Sequence, residues 1–162
     1  MNQEIKIEDL EKVYVDLPNH WAVGGESMWA KPLENNLYEI HNTPFYSYGL
    51  NYLDIVKVDS SDETKKPLVL EVLKASGHLT IRIIFNKEIN KNSQLPILDE
   101  LKNLKIDFER VNDNYVALDI EPSGDYDAVL KRLTELQQDE ILEYETCESH
   151  VANSFDDTPE EN

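Results

Sequence analysis

The apolar pattern of this 162-residue chain changes near Ser76–Gly77, and this change limits the folds available to it. Before it, short segments alternate apolar and polar residues with a period of two, which predicts β-strands separated by turns. The predicted strands are 13–17, 27–33, 37–40, 54–59 and 68–75. Many short strands in succession predict a small antiparallel β-barrel or curled sheet over residues 1–76.

After Gly77, strand-length apolar runs alternate with helical patterns. The predicted strands are 79–85, a hairpin of 106–111 with 115–120, and 141–146. A first helix is indicated by Leu95, Leu98, Leu101 and Leu104, which recur every three residues, with Pro96 in its first turn. A second helix is indicated by an apolar stripe from Tyr126 to Leu136, and Ser123 or Asp125 is expected to cap it. The order β-α-β-β-α-β predicts a ferredoxin-like half over 77–148, and the chain is therefore α+β.

Residues 149–162 are small, polar and acidic, which predicts a flexible acidic tail. The N-terminal residues show no secretory pattern, and no window approaches the roughly 18 apolar residues of a membrane span. The single Cys147 has no second cysteine with which to form an internal disulfide. Together these features predict a cytoplasmic location.

The chain carries 33 acidic and 15 basic residues, a formal net charge of -18. The stretch 73–138 is nearly balanced, whereas 139–162 contains nine acidic residues and no lysine or arginine. A field of this sign repels nucleic acid and anionic membranes and attracts basic surfaces. The charge therefore indicates a basic protein partner, or serves solubility alone.

Sequence motifs for catalysis are absent. The chain has no G-x-S-x-G nucleophile elbow, no phosphate-binding loop and no G-x-G-x-x-G. Cys147 and His150 lie three residues apart, but a structural zinc site needs four ligands. We therefore predict no enzyme activity, no metal and no cofactor.

One segment could still form a polar site. If 79–85 is a strand, the side chains of His78, Thr80 and Arg82 lie on one face, and such a trio could bind a carboxylate or phosphate. The alternative, which we favour, is an exposed or inter-domain sheet face on which Arg82 pairs with an acidic residue.

One group of aromatic residues lies near the predicted strands of the first sheet. Trp29, Phe45, Tyr46 and Tyr48 could form a hydrophobic binding patch. We favour their assignment to the core and turns of the first sheet, because large aromatic residues are usually well buried.

Four elements in order are Trp-Ala-x-Pro-Leu at 29–33, Asn-x-Pro-Phe at 42–45, Tyr-Gly at 48–49 and Ser-Gly-His-x-Thr at 76–80. Together they resemble the bacterial domain-of-unknown-function family 4265, from about Val13 to Tyr144. Met28 stands where the family pattern usually has Leu. The resemblance implies a bacterial cytosolic protein and supplies no activity or catalytic residues. By analogy with other small acidic bacterial proteins, it is compatible with an immunity protein that acts beside a secreted toxin.

The leading hypothesis is an acidic immunity protein, or antitoxin, that binds a basic toxin domain. A nuclease is the expected target because its cleft must attract phosphates, and an acidic inhibitor would be steered towards that cleft. The predicted partner-binding residues are Glu140, Glu143, Tyr144, Glu145 and Glu148, with Tyr144 as an aromatic anchor.

Two alternatives belong to other functional classes. The ferredoxin-like half could bind a small regulatory ligand, in which case ligands would raise the melting temperature. An enzyme that uses His78 and Arg82 is a third hypothesis, although the sequence offers no supporting group of catalytic residues.

Overall fold

The computed structural model describes residues 7–159, which divide into two compact units. One unit contains the described residues up to Ser76 together with those from Glu148 onwards, and the other is Gly77–Cys147. Neither helix in this described part of the chain combines the length and apolar character needed to cross a bilayer. The predicted α+β class is confirmed.

The first unit is a closed five-stranded barrel preceded by a single 3-10 turn, Ile7–Asp9. Its strands are β1 Glu11–Asp16, β2 Gly25–Pro32, β3 Leu37–Ile40, β4 Ile55–Asp59 and β5 Leu68–Lys74. Each strand runs antiparallel to the one before it, so the first and the fifth point the same way. The barrel therefore closes through a parallel contact, Tyr14 opposite Leu68.

Alternation along the strands places the apolar residues of the barrel inside. Its core includes Val13, Val15, Met28, Ala30, Ile40, Val56 and Val58. The β2–β3 hairpin turns through Asn35 and Asn36, whose φ angles are 63° and 60°. Asparagine adopts this left-handed backbone more readily than most residues, as the sequence indicated.

The second unit is a four-stranded sheet with two helices. Its elements are β6 Leu79–Phe85, α1 Lys91–Lys102, β7 Ile106–Arg110, β8 Tyr115–Ile120, α2 Tyr126–Gln138 and β9 Leu142–Thr146. The strand order is β7-β8-β6-β9, and every neighbouring pair is antiparallel. Ile81, Ile83 and Phe85 of β6 share one core cluster with buried leucines of both helices. The outer strands are β7 and β9.

Helix α1 begins earlier than predicted. The Asn90 side chain accepts a hydrogen bond from the Ser93 backbone N–H and caps the helix, so Pro96 lies in the second turn rather than the first. The stripe is also displaced, because Leu95 is 49% exposed while Gln94 is fully buried. Gln94 donates to the carbonyls of Ile89 and Asp113, so a polar residue occupies the inner position.

The segment predicted to be a flexible tail lies with the barrel unit as far as it is described, to residue 159. The Tyr48 backbone N–H donates to the Phe155 carbonyl, and the Phe155 ring packs against the barrel core. Asp156 is 2% exposed and accepts hydrogen bonds from the backbone and side chain of Asn19. A partly buried aromatic residue and a hydrogen-bonded carboxylate hold this segment, and composition alone showed neither. Residues 160–162 lie outside the described residues.

Candidate partner-binding surface

Helix α2 ends in a left-handed turn that leads directly into the outer strand β9. Glu140 has φ 60°, its N–H donates to the Gln137 carbonyl, and the N–H of Ile141 donates to the Leu136 carbonyl. These two bonds form a Schellman motif, in which glycine usually occupies the left-handed position. A side chain there costs about 1–2 kcal/mol, so Glu140 stands where the backbone would favour glycine.

Glu140 and Glu143 are both exposed, and neither carboxylate has a hydrogen-bond or ion-pair partner among the described residues. They line one cavity of about 590 Å³ at the start of β9. The rest of its lining consists of Ile84, Phe85, Asn86, Lys87, Gln137 and Leu142.

The cavity combines apolar surface with acidic groups. Ile84 is 45% exposed and lies opposite Glu143 in the sheet, and Lys87 supplies the one cation of the lining. The side chain of a lysine or arginine has the same two parts, an apolar stem and a charged head. The stem could cover Ile84 while the head reaches the carboxylates, which makes the cavity suited to a basic side chain.

The other predicted partner-binding residues are placed differently. The Tyr144 ring packs against the helix-covered core, and its hydroxyl lies 2.8 Å from the Thr134 hydroxyl. Glu145 accepts a 3.0 Å hydrogen bond from Nε of Arg82. Glu148 is exposed but belongs to the barrel unit. The candidate surface is therefore Glu140 and Glu143 with the cavity that they line.

Two residues of the predicted polar trio, His78 and Arg82, each contact a carboxylate on a neighbouring strand. Thr80 and Arg82 lie on the sheet face opposite the helices, and Arg82 is only 1% exposed. Burial alone would lower the pKa of the Arg82 guanidinium, but the ionisable groups of Cys147, Tyr115 and Glu145 raise it overall, so the buried side chain stays charged. Arg82 thus pairs with an acidic residue, as the favoured alternative expected, but its side chain is buried and not exposed.

His78 precedes β6 and contacts a buried carboxylate of β8. Its Nδ1 lies 2.9 Å from Oδ1 of Asp119. Burial raises the pKa of the Asp119 carboxyl, although the hydrogen bond with His78 acts in the opposite direction. Neither His78 nor Arg82 lines the cavity at β9.

Two of the predicted aromatic residues, Phe45 and Tyr46, lie beside a buried carboxylate, Glu26 of β2. Glu26 accepts hydrogen bonds from the backbone N–H groups of Phe45, Tyr46 and Ser47 and from the Ser47 hydroxyl. Tyr48 is buried, while Trp29 is half-buried beneath the Lys12 ammonium, which lies 4.3 Å from the ring centroid. Glu26 therefore fixes the aromatic loop to the barrel.

Sequence reasoning missed several contributors to these sites. Glu26 shares the inward register of β2 with Met28 and Ala30, and that register was the available signal. Ile84 and Lys87 were missed because they reach the cavity only through sheet pairing and the turn after α2.

Most of this chain is similar to a known family and to a solved structure. No curated protein matches it. A solved structure, described as a hypothetical protein from Neisseria gonorrhoeae, is similar with a TM-score of 0.71 and 18% identity. The match covers 86% of this chain and 94% of that one, and at this identity it shows the fold alone. The family described as Domain of unknown function (DUF4265) matches residues 26–144, so the chain belongs to that family.

Proposed function

We propose that this chain is an immunity protein that binds a basic toxin domain, most simply a nuclease, and covers its active cleft. The observation that carries the proposal is a pair of exposed carboxylates, Glu140 and Glu143, at one cavity beside an outer strand, which have no partner in the described part of the chain. Charges already paired within the fold gain little from a partner. These two carboxylates would each gain an ion pair.

The overall charge supports the same proposal. A net charge of -18 steers a basic protein towards the chain at long range, and local carboxylates then set the docking position. The proposal places the protein in the cytoplasm, where an immunity protein would meet a toxin that has entered the cell. Cys147 is buried and, as the single cysteine of the sequence, forms no internal disulfide, which is compatible with that reducing compartment.

Co-expression with the toxin domain encoded beside this chain's gene tests the proposal. We expect the wild-type chain to protect the host and to elute with the toxin on a sizing column. Replacing Glu140→Lys and Glu143→Lys should abolish protection, because two attractive contacts become repulsive.

The matched control is Asp99→Lys with Asp107→Lys, which changes the net charge equally at exposed acids on α1 and the opposite outer strand β7. This control should retain protection. Continued killing by the toxin with the wild-type chain present, and no complex on the column, would contradict the proposed function.

The cavity also favours a second candidate function, the binding of a small cationic ligand. A volume of about 590 Å³ with two carboxylates could hold a polyamine or a free basic amino acid. Such a ligand would raise the melting temperature of the wild-type chain but not of the Glu140→Gln, Glu143→Gln variant. If none of a panel of amines raises the melting temperature, this candidate function is excluded.

A further inference from the structure

The hydrogen-bond pattern of the sheet shows which backbone N–H and C=O groups of β9 point away from β6. In an antiparallel pair, opposite residues alternate between those that exchange both backbone hydrogen bonds and those that exchange neither. The Asn86 N–H donates to the Ile141 carbonyl, one step beyond the pair Phe85–Leu142. Glu143 and Glu145 therefore bond towards β6, and the backbone groups of Leu142, Tyr144 and Thr146 face away from it.

The other side of β6 gives the same pattern independently. The Phe85 N–H donates to the Asn114 carbonyl, which continues the pairing of β6 with β8. The odd-numbered residues of β6 thus bond to β8 and the even-numbered ones to β9. Within the described chain β9 has no second neighbouring strand, so its outward N–H and C=O groups form an open edge.

Open edges of this kind usually carry features that prevent further pairing. Strand β9 contains no proline, and its pairing with β6 shows no bulge. Two acidic residues protect it: Glu143 is exposed, and Glu145 on the same face is 43% exposed although it also accepts from Arg82. Like charges placed opposite each other destabilise a strand pair, so a second copy of β9 is a poor neighbour. A strand with lysine or arginine at alternate positions would instead place opposite charges across the pair.

We propose that β9 binds an extended basic segment of its partner by strand addition, an inference that rests on the proposed function. The partner's backbone would pair with the outward groups of Leu142, Tyr144 and Thr146. One basic side chain would lie opposite Glu143 and enter the cavity beside Glu140. Main-chain bonds supply affinity in this mode, and alternate side chains supply specificity.

The test uses the full chain and the peptide acetyl-Lys-Thr-Lys-Val-Lys-Thr-Lys-amide at low salt. A peptide of the same composition with its four lysines contiguous is the control. We expect the alternating peptide to slow exchange of the Tyr144 and Thr146 amide hydrogens about tenfold, because strand addition buries and bonds them. The Glu143 and Glu145 amides, already bonded to β6, should change little.

A variant tests the same edge. Thr146→Pro removes one outward N–H while leaving the bonds to β6 in place, since proline is tolerated on an edge strand in this orientation. We expect it to bind the alternating peptide about tenfold more weakly, because one hydrogen bond is lost and the ring hinders pairing. Glu140→Gln with Glu143→Gln should also weaken binding. If Thr146→Pro fails to fold, the exchange measurement decides.

The outcomes separate this inference from the proposed function. Equal binding of both peptides, unaffected by Thr146→Pro and without amide protection, would refute strand addition and leave an electrostatic partner surface intact. Failure to bind either peptide also refutes strand addition. Failure of the wild-type chain to protect against the toxin, whatever the peptides do, refutes the proposed function.

Discussion

Two consecutive stretches, 139–147 and 148–159, are both acidic and free of lysine and arginine, yet they use their carboxylates differently. In the first, Glu140 and Glu143 face solvent without partners among residues 7–159. In the second, Asp156 is buried against Asn19, and Asp157 pairs with His150 at 2.9 Å. Charge density along a sequence therefore does not distinguish carboxylates that stabilise a fold from those available to a partner.

The largest loss of unfolding free energy is expected when Asp156 is replaced. Its carboxylate accepts bonds from the backbone and side chain of Asn19 and from the Asp157 N–H, so Asp156→Ala leaves three donors unpaired. We expect the free energy of unfolding of the barrel unit to fall by about 3 kcal/mol, measured by urea denaturation. Glu143→Ala is the matched control, and a loss at Asp156 no larger than at Glu143 would contradict the comparison.

Much of the fold could be predicted because burial imposes a period on the sequence. The two-residue alternation through Val13 and Val15 predicted a strand, and Asp125 caps α2 as one of the two residues expected to do so. These features depend on local pattern. Strand boundaries shifted by one or two residues, as in β1 and β2, and α1 begins earlier because Asn90 caps it.

The candidate site could be predicted only in part. Glu140 and Glu143 stood out by composition, but their availability depends on partners that lie far away in sequence. Glu145 pairs with Arg82, 63 residues earlier, and Asp156 with Asn19, 137 residues earlier. The cavity depends on the left-handed turn at Glu140, which no sequence pattern marked because glycine is absent there.

An intermediate loss of unfolding free energy is expected at acidic pH. The hydrogen bond with His150 and, secondarily, the Thr158 N–H lower the pKa of Asp157 below the usual 3.8. The folded pKa lies below the unfolded one, so this stabilisation is present above about pH 4 and is lost as pH falls through the folded pKa. Asp157→Asn should flatten the acid-side decline of the barrel's unfolding free energy. An unchanged slope would show that the pair contributes nothing.

The smallest effect on stability is expected at the candidate surface. Glu140→Gln with Glu143→Gln should change the unfolding free energy by less than about 0.5 kcal/mol, because neither side chain has a partner to lose within the described chain. Thermal and urea denaturation of the two-site variant measure this. A loss of about 2 kcal/mol or more would mean that these carboxylates stabilise the fold, and the distinction between the two stretches would fail.

The central claim is that the exposed carboxylates of Glu140 and Glu143, and not those of Asp156 and Asp157, meet the partner. Carbodiimide cross-linking of the purified complex with the toxin domain, followed by mass spectrometry, joins carboxylates to partner lysines at direct contact. The account predicts cross-links from Glu140 or Glu143, and their loss in the two-site glutamine variant. Cross-links confined to acids of the barrel unit would contradict it.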